Sequence, residues 1–421
     1  MSMLLVGLHV KVYRQISPLD EAAHYDYLTK VMSGELLRRG ERIGQEALRV
    51  ASCRGPDLPG LVLPPCMAGV YDPDEFPDRG YNYLHEHLPA YYLITSIPTR
   101  AFLALGFSST LDAARLTGGL WLGLGLIVFW FVAVGLGIGV TQRLVLLVLM
   151  AMTPAMLHAS ATVNDDATSM VAGSLLILAA LKWERRIWGS WPLVLAGILA
   201  VALKPTNILG VGAVCLYLLG RGIKASSSRD HPRPTRREYV GSGAAVLAGG
   251  FGVLLVWLPI HEAIALSSID PQAASFRVPS LTFGDVAGQV PAFVTPILAP
   301  LLGPLTGVEL VRVMMLMLHT GLIATSFGAA MLLGRLQRAY SLAVAGAVAA
   351  LVGGVGLTLG SYLLRSGIYI PLLPHRYALT LLPFLALGLG AAMKRRVPLW
   401  AGGVLAVVSA VATTGALLDA L

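Results

Sequence analysis

Five short polar stretches interrupt an otherwise strongly apolar chain, and they carry the side chains that could do chemistry. They are Asp20, Glu21 and His24; His85, Glu86 and His87; Asn164, Asp165 and Asp166; Lys204; and His375, Arg376 and Tyr377. A carboxylate can take the proton of a weak nucleophile such as a hydroxyl. Arg grips a phosphate with two donors and Lys acts on it as a point charge. Gathered together, the stretches would make one site with carboxylates on one side and cations on the other. Each residue also has a plainer reading. Asp20 can cap a helix, a role worth roughly 0.5–2 kcal/mol, and Glu21 can favour the helix dipole or orient a neighbour. Asn164 with Asp165 and Asp166 can cap the apolar run that follows. Lys204 can snorkel to a membrane surface, although a lysine central in a helix costs roughly 2.5–3.5 kcal/mol. Arg376, Tyr83, Tyr91 and Tyr92 can be interfacial anchors. His24, His85 and His87 bring a metal to mind, but no tight ligand spacing joins them, so no metal is expected.

The elements that position these residues follow from composition. Of 421 residues, 56% are hydrophobic and 13% charged, and the mean hydropathy is +0.71. A soluble domain needs far more charge to cover its surface. Apolar runs such as 120–140 and 342–359 show no strand-like alternation. The expected fold is therefore an all-α polytopic membrane protein with about ten or eleven transmembrane helices of about 20 residues each. The net charge of +8 does not point to nucleic acid, because the basic residues sit in short loops between apolar runs. Arg143, Lys182 with Arg185 and Arg186, the stretch 221–237, Arg335 with Arg338, and Lys394 with Arg395 and Arg396 mark the cytoplasmic side. The turns near 164–166, 204–207, 261–305 and 365–377 then lie on the far face with the long segment 13–116. All five polar stretches fall on that extracytoplasmic face. The preference for Arg over Lys, amid abundant Ala, Gly, Val and Leu, looks like the usage of a GC-rich bacterial genome, so a bacterial inner membrane is the expected location.

Three parts are expected. Residues 1–13 form a partial first transmembrane helix, too short to span, without a cleavage site and read as truncated. Residues 14–116 form a large extracytoplasmic loop, and 117–421 a transmembrane bundle. In the loop, Ser17-Pro18-Leu19-Asp20 reads as a helix start with Ser17 as N-cap and Asp20 closing a capping box, and the helix stops at Gly34. A second helix over 83–105 is broken at Pro89 and Pro98. Both are read as juxtamembrane helices lying along the membrane surface. Cys53 and Cys66 face an oxidising compartment in this topology and are a disulfide candidate, the alternative being two free thiols; Cys215 reads as packing. The short runs 191–203 and 208–220 are interrupted by Lys204-Pro205-Thr206-Asn207, and broken helices of this kind are where membrane proteins place binding sites. There is no internal repeat, and the only biased segment is the Ser/Arg/Pro-rich loop 225–237.

In this order the motifs resemble a known family. Pro18-Leu19-Asp20-Glu21-Ala22-Ala23-His24 resembles the Asp-Glu signature of the GT-C superfamily of membrane glycosyltransferases. His87-Leu88-Pro89-Ala90-Tyr91-Tyr92-Leu93 is similar to the His-Pro-Pro-Leu-Tyr-Tyr stretch of its mannosyl- and aminoarabinosyl-transferase-like members, with Leu88 replacing a proline and Ala90 a leucine. Ala113-Ala114-Arg115-Leu116 resembles the start of their second span, Lys204-Pro205-Thr206 a Lys-Gly/Pro element, and Arg376-Tyr377 a late Arg-Tyr. The Pro-x-Asp-Glu-x-x-His form is closest to bacterial members. The resemblance implies inverting transfer of a hexosyl or pentosyl group from a polyprenyl-phosphate donor to an extracytoplasmic glycan, glycolipid or protein acceptor, with no cofactor. It implies catalytic roles for Asp20 and Asp165, and substrate-binding roles for Glu21, His24, His87, Lys204, His375, Arg376 and Tyr377. The chemistry is consistent: a hydroxyl nucleophile needs a base, and a phosphate leaving group needs cations rather than an acid. Nucleotide sugars are cytoplasmic, so an outward-facing enzyme needs a lipid-linked donor. The alternatives are a flippase for a lipid-linked glycan, which would carry ionisable residues across the membrane, and a non-catalytic membrane scaffold.

Overall fold

The computed structural model describes residues 1–56, 60–225, 234–270, 275–294, 305, 307–331, 337–365, 367–371, 373–394 and 396–421. Arg335, Arg395, most of the loop 225–237 and part of the turn 261–305 lie outside them. Among the described residues the chain is helical, with no strand and two isolated bridges, Arg42 with Tyr81 and Arg277 with Ile368. Helix α1 (Ser2–Val12) leads into a long segment holding α2 (Glu21–Met32), α3 (Gln45–Cys53), a 3₁₀ turn at Tyr83–Glu86 and α4 (Ala90–Ala104). Then come α5 (Thr110–Gly135), α6 (Val140–Ala151), α7 (Pro154–Ala161), α8 (Ser169–Glu184), α9 (Ser190–Leu203), α10 (Ile208–Ala225) and α11 (Arg236–Ala263). A short α12 (Phe283–Ala287) precedes α13 (Glu309–Met331), α14 (Arg338–Leu364), α15 (Leu382–Ala392) and α16 (Arg396–Asp419).

Among the described residues seven helical stretches are long and apolar enough to cross a membrane, and α6 with α7, bent by 62° at their break, make an eighth if taken as one span. This is the architecture of a multi-pass membrane protein. The difference from ten or eleven lies in α1, α9 and α15, with 11, 14 and 11 residues, each short of the about 20 that a full span needs. Side-chain placement agrees with a lipid surround. On α5, Leu120, Leu124, Ile127, Phe131 and Val134 are exposed at helical spacing, while Leu122, Leu126, Phe129 and Val132 are buried. An apolar stripe of that length facing outward would be covered by lipid tails. Inside, α5 packs on α1, α7 and α8, α9 and α10 pack on α11, and α14 lies between α10 and α15. A Cβ on Gly118 would overlap the Ser160 carbonyl, so α5 and α7 meet backbone to backbone there.

A second core joins the long segment to one end of this bundle. Tyr25 and Tyr27 of α2, Tyr91 and Tyr92 of α4, and Trp121 of α5 are buried together with Val163 and Leu203. The rings of Tyr27 and Tyr92 stack at 4.0 Å. Tyr91 and Tyr92 are therefore core residues rather than interfacial anchors. Three local expectations change. Helix α2 starts at Glu21, not at Pro18, and the Glu21 carboxylate accepts from the Ser17 amide at 2.6 Å, so Glu21 rather than Asp20 reaches back toward the helix start. Helix α4 begins after Pro89 but continues through Pro98. The boundary expected at 116 falls inside α5, which begins at Thr110 because the Ser109 side chain accepts from the Asp112 amide. Gly34, at φ +87°, follows the end of α2. Cys53, at the end of α3, is disulfide-bonded to Cys66.

Candidate active site

Asp20 sits just before α2 with φ 67° and ψ 1°, in the left-handed region. That conformation costs a residue with a side chain roughly 1–2 kcal/mol, although Asp tolerates it better than most. Both carboxylate oxygens are held: Oδ1 accepts from the Tyr83 hydroxyl at 2.7 Å, and Oδ2 from Nη2 of Arg376. Arg376 turns its Nε to Asp166 Oδ2 at 3.0 Å. The other oxygen of Asp166 takes the Lys204 ammonium. Lys204 Nζ is also 3.7 Å from Asp165 Oδ1, and Asp165 Oδ2 accepts from His87 Nδ1 at 2.7 Å. The result is an unbroken polar chain from Tyr83 through Asp20, Arg376, Asp166, Lys204 and Asp165 to His87. Beside it, His24 Nδ1 is 2.7 Å from the Tyr92 hydroxyl, and the His24 and His87 rings meet edge to face at 5.6 Å. Lys204 and Arg376 lie 5.1 and 5.5 Å from the centre of the Tyr377 ring, close enough for cation–π attraction.

Local structure explains why each side chain arrives there. Asp165 and Asp166 open a 3₁₀ turn, Asp165–Thr168, before α8. With about three residues per turn, successive side chains point about 120° apart, so Asp165 reaches His87 while its neighbour reaches Arg376. Lys204 stands at the break between α9 and α10 in extended conformation, with φ −160°. Pro205 has no N–H to continue the ladder; the Ala200 carbonyl accepts the Lys204 N–H at 3.2 Å and the buried Asn207 side chain at 3.0 Å, which ties the break to the end of α9. Arg376 and Tyr377 lie in a 3₁₀ stretch, His375–Leu381, that packs against α8 and the α9–α10 break.

The site has a closed floor and an open rim. The side chains of Asp165, Asp166 and Lys204 are at most 3% exposed, whereas Arg376, His87 and Asp20 are 13, 27 and 30% exposed. Three carboxylates (Asp20, Asp165, Asp166) face two cations (Lys204, Arg376). Burial pushes Lys204 down to about 8 against the pull of Asp165, and pushes His24 down to about 4. Burial, then the Asp20 charge, hold the Tyr83 hydroxyl well above its ordinary range.

Of the residues expected at the site, Asp20, His24, His87, Asp165, Lys204, Arg376 and Tyr377 come together. Glu21 does not. It is fully buried in a two-point ion pair with Arg115, at 2.7 and 2.6 Å, and accepts from the amides of Ser17 and Val163. Its oxygens are thus committed to protein donors, so it is a structural residue rather than one that binds substrate. His375 directs Nδ1 to the Ala292 carbonyl at 2.5 Å. Asp166 emerges as the residue that bridges both cations, although Asp165 was the favoured member of the pair. Tyr83 is a hydrogen-bond donor to Asp20 rather than an anchor. The sequence signal for Asp166 was present in Asn164-Asp165-Asp166, but direction around a 3₁₀ turn is not written in it. Spacing along the chain does not join His24, His85 and His87 into a metal site. In space, His24, His87 and Asp165 place ligand atoms within 4.8 Å of one another. No family model, no curated protein and no solved structure matches the chain.

Proposed function

We propose that this protein is an inverting glycosyltransferase of the bacterial inner membrane. It moves a hexosyl or pentosyl group from a polyprenyl-phosphate donor to an extracytoplasmic glycan, glycolipid or protein. The observation that carries this reading is the chain Asp20–Arg376–Asp166–Lys204, which joins the start, middle and end of the sequence and is partly exposed only at its Asp20 and Arg376 end. In the free protein the cations are held by carboxylates. A donor phosphate competes for Arg376 and Lys204, and as the guanidinium turns to it Asp20 loses that partner. The freed carboxylate then accepts the proton of the acceptor hydroxyl. The hydroxyl oxygen bonds to the anomeric carbon from the face opposite the phosphate. The bond from that carbon to the phosphate oxygen breaks, and its electron pair leaves with the phosphate, whose growing charge is met by Lys204 and Arg376. The lipid chain of the donor lies along the apolar outer faces of the spans.

The test is sugar transfer in proteoliposomes from a labelled polyprenyl-phosphate sugar. Asp20→Asn is expected to lower transfer by about 10²–10⁴-fold with melting temperature retained; transfer at the wild-type rate removes Asp20 as the base. Movement of labelled lipid between leaflets by the wild-type protein, without any transfer, replaces this reading with the flippase.

A further inference from the structure

His24, His87 and Asp165 come from three separate elements: α2, the residue after the Tyr83–Glu86 turn, and the 3₁₀ turn before α8. Their ligand atoms all lie within 4.8 Å of one another. We infer that these three residues form a binding site for a divalent transition-metal ion of the zinc class, set beside the Lys204–Arg376 pair. Two imidazoles and one carboxylate are the donor set of many catalytic zinc sites, which keep a fourth position open. A tetrahedral zinc with bonds of about 2.1 Å holds its ligand atoms about 3.4 Å apart, so rotation of side chains closes the present spacing without moving the helices.

Three observations support the site. A metal-ligating histidine characteristically has its other ring nitrogen fixed by an outer partner. His24 has this arrangement already, with Nδ1 held 2.7 Å from the buried Tyr92 hydroxyl and the second nitrogen left for an ion. His87 and Asp165 are already 2.7 Å apart, and the His87 side chain is 27% exposed, which gives an ion a way in. The charge balance also accommodates it. Lys204 is engaged by Asp166 and stands 3.7 Å from the Asp165 oxygen that does not face His87. The three carboxylates exceed the two cations by one negative charge, and a divalent ion turns that excess to one positive charge, which a phosphate would balance. The ion's part in holding a phosphate rests on the glycosyl-transfer reading; its binding does not.

The experiment uses the full chain in detergent, stripped with chelator and then titrated with ZnCl₂ or CoCl₂. Wild type is expected to bind one zinc per chain by elemental analysis, and cobalt is expected to give the visible absorption of a tetrahedral ion. His87→Gln and Asp165→Asn should each remove zinc retained through gel filtration. Tyr92→Phe keeps all three ligands and guards against misfolding of the ligand variants; it should weaken zinc affinity by about 10–100-fold. Wild type that retains no zinc, or ligand variants that retain as much as wild type, overturns the inference. Asp20→Asn should keep its zinc, so loss of transfer with the ion still bound bears on Asp20 alone, and loss of zinc with transfer intact bears on the ion alone.

Discussion

The two ends of α8 carry buried carboxylates that are used in opposite ways. At its C-terminal end, Glu184 is 1% exposed and accepts from Arg221 and Arg338 at 2.7 Å, Tyr217 at 2.8 Å and Tyr239 at 2.9 Å. Four donors from α10, α11 and α14 fill its two oxygens, and nothing is left for a ligand. Before the N-terminal end, Asp165 and Asp166 are equally buried, but the cations they hold continue to Arg376 and Asp20 at an open rim. Glu21 with Arg115 follows the Glu184 pattern, although it stands next to Asp20 in sequence. Carboxylates of the same chemical type thus divide into a brace and a site, and the difference is whether the carboxylate itself is closed off: Glu21 and Glu184 are 0 and 1% exposed, Asp20 30%. A carboxylate sealed among protein donors holds helices in register; one that reaches the rim, as Asp20 does, can exchange a donor for a substrate.

The largest effect expected from this contrast is at Asp20. Asp20→Asn should lower the transfer rate by about 10²–10⁴, the range of a lost general base, with little change in thermal unfolding. At the other end, Glu184→Gln should do the reverse. Leaving Arg221 and Arg338 without their carboxylate costs about 3–5 kcal/mol of stability, read as a lower unfolding midpoint in mild detergent, with transfer per folded molecule unchanged. If Glu184→Gln lowers transfer while stability holds, the two ends are coupled and the division into brace and site fails.

The next effect concerns protonation. Burial lowers Lys204 to about 8, so its ammonium is charged below that pH and loses its proton as pH rises through it. A phosphate donor needs the charged form, and KM for the donor should rise above pH about 8 while remaining level below it. Lys204→Arg keeps its charge across this range and should flatten the alkaline rise, even if the longer side chain raises KM throughout. An alkaline rise that persists in Lys204→Arg assigns the titration to another group.

How much of this was legible in the sequence depended on the range of the interaction. Helical spans follow from local apolar runs, so the membrane architecture could be read directly, and the break at Pro205 announced itself through a residue that cannot donate. Cys53 and Cys66 were found from compartment chemistry alone. What the sequence lacked was direction. Whether Glu21 or Asp20 faces the hollow depends on a left-handed residue at 20, which turns α2 so that Glu21 enters the bundle and meets Arg115. The same applies to Asp165 and Asp166, neighbours separated by a third of a turn. The His24, His87 and Asp165 grouping needed three elements to converge, and spacing along the chain holds no record of convergence.

The smallest effect sharpens the assignment of the open rim. The Tyr83 hydroxyl donates to Asp20 Oδ1 at 2.7 Å, and Tyr83→Phe removes that donor while leaving the ring. A hydrogen bond to a charged group is worth about 1.5–3 kcal/mol when buried, but the Asp20 side chain is 30% exposed and water can take the vacated place. A loss of about 1 kcal/mol is expected, or about fivefold in kcat, with donor KM unchanged because Tyr83 does not touch the cations. In the Asp20→Asn background the same substitution should have no further effect, since residues that act as a unit are not additive. A full fivefold loss in that background separates Tyr83 from Asp20 and moves its role to positioning the α4 side of the site.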